Sequence, residues 1–138
     1  MPTKHKITDD ERLDKVLSIS TPVLKWFGLY QSYVIKFNFV DEFDGSRGGE
    51  VVARVEEDYP YRLITIQFQR KYIDNNSPFT IEGALIHEIL HPLISGPMDR
   101  YLEGRMIGWG KEYNDLQESL VDLIRIWLVR LRPEKGWN

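Results

Sequence analysis

The residues able to do chemistry stand close together at His87-Glu88-Ile89-Leu90-His91. Two histidines four positions apart project from one face of an α-helix, so both imidazoles can reach a single metal ion. The glutamate between them lies about 100° round the helix from His87, beside the metal and not on it. A carboxylate placed there is suited to act as general base for a zinc-bound water. The chain has three histidines and no cysteine. Zinc must then be held by histidine and carboxylate, and disulfides and thiol nucleophiles are excluded.

A catalytic zinc takes three protein ligands and keeps a fourth position open. The metzincin pattern fails, because Pro97 stands where its third histidine belongs and Ile94 where its glycine belongs. Glu118, in Glu118-Ser119-Leu120-Val121-Asp122, is the better third ligand, with Asp99, Glu103 and Glu112 as alternatives. Asp122 lies one turn beyond Glu118 and points the same way. It can accept a hydrogen bond from the second nitrogen of a ligand histidine, which fixes tautomer and ring orientation.

HExxH followed on a later helix by ExxxD resembles the signature of the gluzincins, the thermolysin-like zinc peptidases. His87, Glu88, His91, Glu118 and Asp122 match it position by position, within a segment from about residue 60 to 125. The resemblance implies a minimal zincin-like domain with His87, His91 and Glu118 on zinc, Glu88 as base and acid, and Asp122 paired with His87. It also implies that the third strand is the upper edge strand, which binds an extended peptide by strand addition. The family supplies a histidine or tyrosine to stabilise the oxyanion. Tyr101 and Tyr113 are the candidates for that task here, with Arg100 and Arg105 behind them. Pro92, directly after His91, departs from the usual motif, since it lacks an N–H for the Glu88 carbonyl and kinks or ends the helix.

The elements that must position these residues follow from periodicity and caps. Ser77-Pro78 is an N-cap with proline in the first helical position, starting a helix over about 78–91. Leu85, Ile86, Ile89 and Leu93 fall opposite the histidines, while Thr80, Gly83 and Ala84 share their side and leave room for a ligand. A last helix spans about 112–131 and stops before Pro133. Its main apolar stripe is Leu116, Leu120, Leu123, Ile124, Trp127 and Leu131, which puts Glu118 on the opposite side. Upstream, Thr8 and Glu11 form a capping box for a first helix. Pro22 interrupts it, with a second short helix running to about Gly28. Three strands follow, near 33–40, 50–56 and 63–68, the first with Tyr33, Ile35, Phe37 and Phe39 on one face. The turn cluster Asp44–Gly49 and the break at Asp58-Tyr59-Pro60 separate them. These short breaks predict an antiparallel meander, with a mixed sheet as the alternative. Met106–Gly110 reads as a glycine-hinged loop that covers either the site or a core edge. Trp26 and Trp127 are expected in the core. Arg125, Arg130 and Arg132 suit the dipole at the end of the last helix without needing a partner.

The expected fold is therefore α+β, a single zincin-like domain over 1–138. The net charge of −3 gives no basic surface for nucleic acid. No apolar run reaches the roughly 18 residues that span a bilayer. Without a secretory leader or cysteines, the cytoplasm is the expected compartment. The expected function is zinc-dependent hydrolysis of peptide bonds in a peptide or protein substrate. The alternatives are a zincin-like binding module without proteolytic activity, a zinc hydrolase of a non-peptide bond, or a latent enzyme with the tail Pro133–Asn138 in its cleft.

Overall fold

The computed structural model describes residues 5–29, 33–43, 51–58, 62–95 and 111–131, without the side chains of 94, 95, 111–114 and 131. The first helix, α1, runs unbroken over Asp9–Trp26, with Pro22 inside it. The expected interruption is absent. Pro22 removes one hydrogen-bond donor, but Val16, Ile19, Val23 and Leu24 form one buried stripe that continues across it. Packing of that stripe outweighs the lost bond. Thr8 caps the helix by accepting from the Glu11 N–H at 3.3 Å. The Glu11 side chain is paired with His5 (Nε2–Oε1 2.8 Å) at the surface. Gly28, at φ +70°, ends the helix as expected.

Three strands follow, β1 (Val34–Val40), β2 (Ala53–Asp58) and β3 (Leu63–Gln69). Their order is β1-β3-β2, with β1 parallel and β2 antiparallel to β3. The sheet is thus mixed, and the meander expectation is corrected. Alternation fixes which face of a strand is buried and says nothing of its neighbour. The stretch 41–52 is too long for a tight hairpin, and β3 takes the place between the two earlier strands. Across the sheet the register aligns Ile35 with Ile64, Phe37 with Ile66 and Val55, and Phe39 with Phe68 and Ala53. That face is apolar and packs on the helices. Asn38, Gln67 and Arg54 align on the other.

A short helix α2 (Arg70–Asn75) leads directly from β3, and sequence periodicity did not reveal it. It buries Ile73. Its end is tied to α1 by Arg12, whose Nε and Nη2 both donate to Asp74 at 2.8 Å. Helix α3 (Pro78–Leu90) begins as expected, with Ser77 Oγ accepting from the Thr80 N–H. At Pro92 the α-helix gives way to a π-helical turn, His91–Ser95. Helix α4 (Lys111–Leu131) packs on α3. The fold is α+β: among the described residues, four α-helices and a three-stranded mixed sheet.

The core joins α1, the apolar face of the sheet, Ile73, the buried side of α3 and Val121 of α4. Ile81, Ile86 and Ile89 are fully buried and Leu85 nearly so, with Leu93 packed against them. Two expectations fail here: Trp26 and Trp127 are 49% and 54% exposed. On α4 most of the stripe expected to face inward faces outward, with Leu116 at 69% and Leu120 and Leu123 also exposed, while its Ile124 packs on the core. Val121, Ile124, Leu128 and Val129 make the inner contact. Among the described residues, no helix is long and apolar enough to cross a membrane.

Candidate metal centre

His87 and His91 stand one turn apart on α3, and Glu118 reaches them from α4. The three groups form a triangle in which the two oxygens of the Glu118 carboxylate share one corner, one facing each imidazole. His87 Nε2 and His91 Nε2 are 3.3 Å apart. One Glu118 oxygen is 3.3 Å from His87 Nε2 and the other is 3.3 Å from His91 Nε2. Zinc bonds of about 2.0–2.1 Å in a tetrahedron separate neighbouring donors by about 3.3–3.4 Å. The donor set and its spacing therefore fit a metal ion held by two imidazoles and a carboxylate. These three residues form a metal-sized cluster among the described residues.

The inverted facing of α4 brings Glu118 here. The expected inner stripe would have turned Glu118 to solvent, whereas burial of Val121 turns Glu118, Asp122 and Arg125 towards α3. Asp122 Oδ1 lies 3.7 Å from His87 Nδ1, the nitrogen not aimed at the triangle. The same oxygen accepts from Arg125 Nε at 2.9 Å. That bond holds the Asp122 carboxylate below its usual range. Arg125 thus has a partner, contrary to the expectation that it only answered the helix dipole. The i, i+3 spacing of Asp122 and Arg125 was the available signal.

Glu88 is half-buried on the same wall. Burial, and next the charge of Glu118, push its carboxyl up to about 7, against an opposing pull from Arg54. A carboxyl so poised can take up or release a proton near neutrality.

A cavity of about 650 Å³ opens beside the triangle. Its floor is the face of α3 that carries Thr80, Gly83, Ala84, His87 and Glu88, so the small residues leave the expected space. Val51–Ala53, leading into β2, form one wall. Glu118, Arg125 and Val129 of α4 form another, and Tyr72 and Phe79 also line it. The β2 residues and Tyr72 carried no sequence signal for this role. β3, expected as the edge strand, is paired on both sides and cannot accept a further strand. That expectation is corrected. Among the described residues, the open sheet edge beside the cavity belongs to β2.

Tyr101, Arg100, Arg105, Asp99, Glu103, the loop 106–110 and the tail 133–138 lie outside the described residues, as do the side chains of Tyr113 and Glu112. No family model, curated protein or solved structure matches the chain. Its functional reading rests on its own residues.

Proposed function

We propose that the protein is a zinc-dependent metallopeptidase with His87, His91 and Glu118 as metal ligands. The observation that carries this reading is the meeting of two imidazole nitrogens 3.3 Å apart with the Glu118 carboxylate, one oxygen 3.3 Å from each, with Glu88 adjoining them in an open cavity. When bound, zinc supplies Lewis acidity, polarising a carbonyl and making a water nucleophilic near neutral pH. The protein's own groups do the rest. Glu88 takes the proton of the attacking water and passes it to the leaving amine. Asp122, 3.7 Å from His87 Nδ1, is placed to favour the tautomer whose Nε2 lone pair faces Glu118, and Arg125 orients Asp122. A substrate backbone lies in the cavity along the open edge of β2, where strand addition supplies main-chain hydrogen bonds.

The cavity volume also falls within the range of small-ligand pockets. This supports a second reading, hydrolysis of a non-peptide bond by the same groups. Elemental mass spectrometry of wild type, Glu88→Gln and Glu118→Ala tests the metal site. Wild type and Glu88→Gln are expected to hold about one zinc each and Glu118→Ala to lose it. Peptide cleavage by wild type, abolished in Glu88→Gln, supports the peptidase. Zinc without peptide cleavage favours the second reading. Absence of zinc from every form, even when supplied, overturns both.

A further inference from the structure

We propose that Arg125 recognises a carboxylate on the substrate, about two residues from the cleaved bond. This inference rests on the peptidase reading and names its substrate class: peptides with an acidic side chain or a free C-terminus at that distance.

Arg125 lies two turns beyond Glu118 on α4. Its side chain leans back towards the metal centre: Nε is 2.9 Å from Asp122 Oδ1, and that oxygen is 3.7 Å from His87 Nδ1. The guanidinium thus lies within about 7 Å of the His87 ring, a distance that an extended peptide covers in about two residues. The guanidinium is held in place at one corner, because Nε donates to Asp122 Oδ1 at 2.9 Å. Nη1 reaches across to α3, 3.8 Å from where a Cβ on Gly83 would stand. The group therefore bridges the two helices over the cavity floor, one turn of α3 from His87. Among the described residues, Asp122 is the one carboxylate paired with it.

Among the described residues, both Nη groups keep N–H donors for a ligand, and the side chain is 29% exposed. It is sheltered enough for its charge to be felt strongly, and open enough to be reached. A planar, fixed fork matches a carboxylate and distinguishes it from a neutral amide of the same shape. Apart from the ligands His87 and Glu118 and the phenol of Tyr72, the other ionisable side chains among the described residues lining the cavity are the carboxylates Glu82 and Glu88. Among the described residues, Arg125 is thus the one guanidinium or ammonium of the lining. Tyr72, Phe79 and Val129 line the same cavity and offer apolar surface to the stem of the bound residue.

The test uses zinc-loaded full-length protein and hexapeptides carrying one Glu at each position in turn. Each has a Gln counterpart, and each is made as a C-terminal acid and as an amide. Mass spectrometry locates the cleaved bond. Wild type is expected to favour the carboxylate form about tenfold or more in kcat/KM at about the second residue from that bond. The Glu/Gln pairs and the acid/amide pairs distinguish a side chain from a terminus. In Arg125→Gln that ratio falls to near one, whatever the absolute rates. Arg125→Lys retains part of it, and Arg125→Glu turns the preference towards Lys-containing peptides. A ratio near one in wild type, or one unchanged in Arg125→Gln, overturns the proposal. The same peptides titrated calorimetrically into Glu88→Gln report recognition without turnover. Preference in binding with no cleavage by wild type overturns the peptidase and keeps the Arg125 assignment. Cleavage without preference does the reverse.

Discussion

Helices α3 and α4 meet at the same three donor groups, yet they are built on opposite plans. α3 turns its large apolar residues into the core and presents small and polar ones to the cavity. α4 turns Leu116, Leu120, Leu123 and Trp127 to the outside and aims Glu118, Asp122 and Arg125 inward, around a buried Val121. The difference teaches that an amphipathic pattern identifies two faces without saying where each one goes. On α3 the core decides. On α4 the inner contact is made by Val121, Ile124, Leu128 and Val129, and the polar residues beside them meet the two imidazoles.

The sharpest division between the helices is chemical. In zinc-loaded protein, Glu88→Gln on α3 is expected to lower turnover about 10²–10⁴-fold, the usual worth of a positioned base. Asp122→Asn on α4 is expected to lower activity or zinc affinity about 10–100-fold, because it acts through His87. Steady-state kinetics and metal titration measure the two, and equal losses would break the contrast. In stability, Ile86→Ala on the buried side of α3 is expected to cost about 2–5 kcal/mol. Leu116→Ala on α4, at 69% exposure, is expected to change stability by about 0.5 kcal/mol or less. Urea unfolding compares them, and a large loss at Leu116 would mean that its face is covered in solution. Ser77→Ala removes the α3 cap and should cost about 1 kcal/mol by the same measurement. The smallest effect lies away from both helices, at Asp9. The hydrogen bonds of Arg70 and then Arg12 lower its pKa from an ordinary 3.8 to about 2. A lowered carboxyl pKa favours the folded state above the ordinary value, and that contribution fades as pH falls through about 2. The stability gap between wild type and Asp9→Asn should therefore be present at pH 5 and close by about pH 2.

Much of the site was legible because its signals are local. The Ser77 cap, Pro78, the four-residue histidine spacing and the small residues at 80, 83 and 84 all sit on one short helix whose period is fixed by backbone geometry. Glu118 and Asp122 were legible as a motif even though the apolar pattern of their own helix argued against them. What escaped depends on distant partners. The order β1-β3-β2 is set by which strands bury face to face, and alternation within a strand is blind to that. Continuity of α1 through Pro22 depends on the core beneath Val23 and Leu24. Arg125 escaped because a charge near a helix end already had a sufficient local explanation.

The strand order also has a kinetic consequence. β2 and β3 are joined by residues 59–62, so their pairing is local and can form early. β1 is synthesised first but has no partner until β3 exists, and its parallel register matches Val34 with Leu63 and Val40 with Gln69. Pairing across that separation is slow relative to hairpin closure. During folding, Val34–Val40, with Ile35, Phe37 and Phe39 on one side, is an uncovered apolar strand waiting for its neighbour. It is the segment through which a newly made chain is most exposed to aggregation, and quick closure of the β2–β3 hairpin is what shortens that interval.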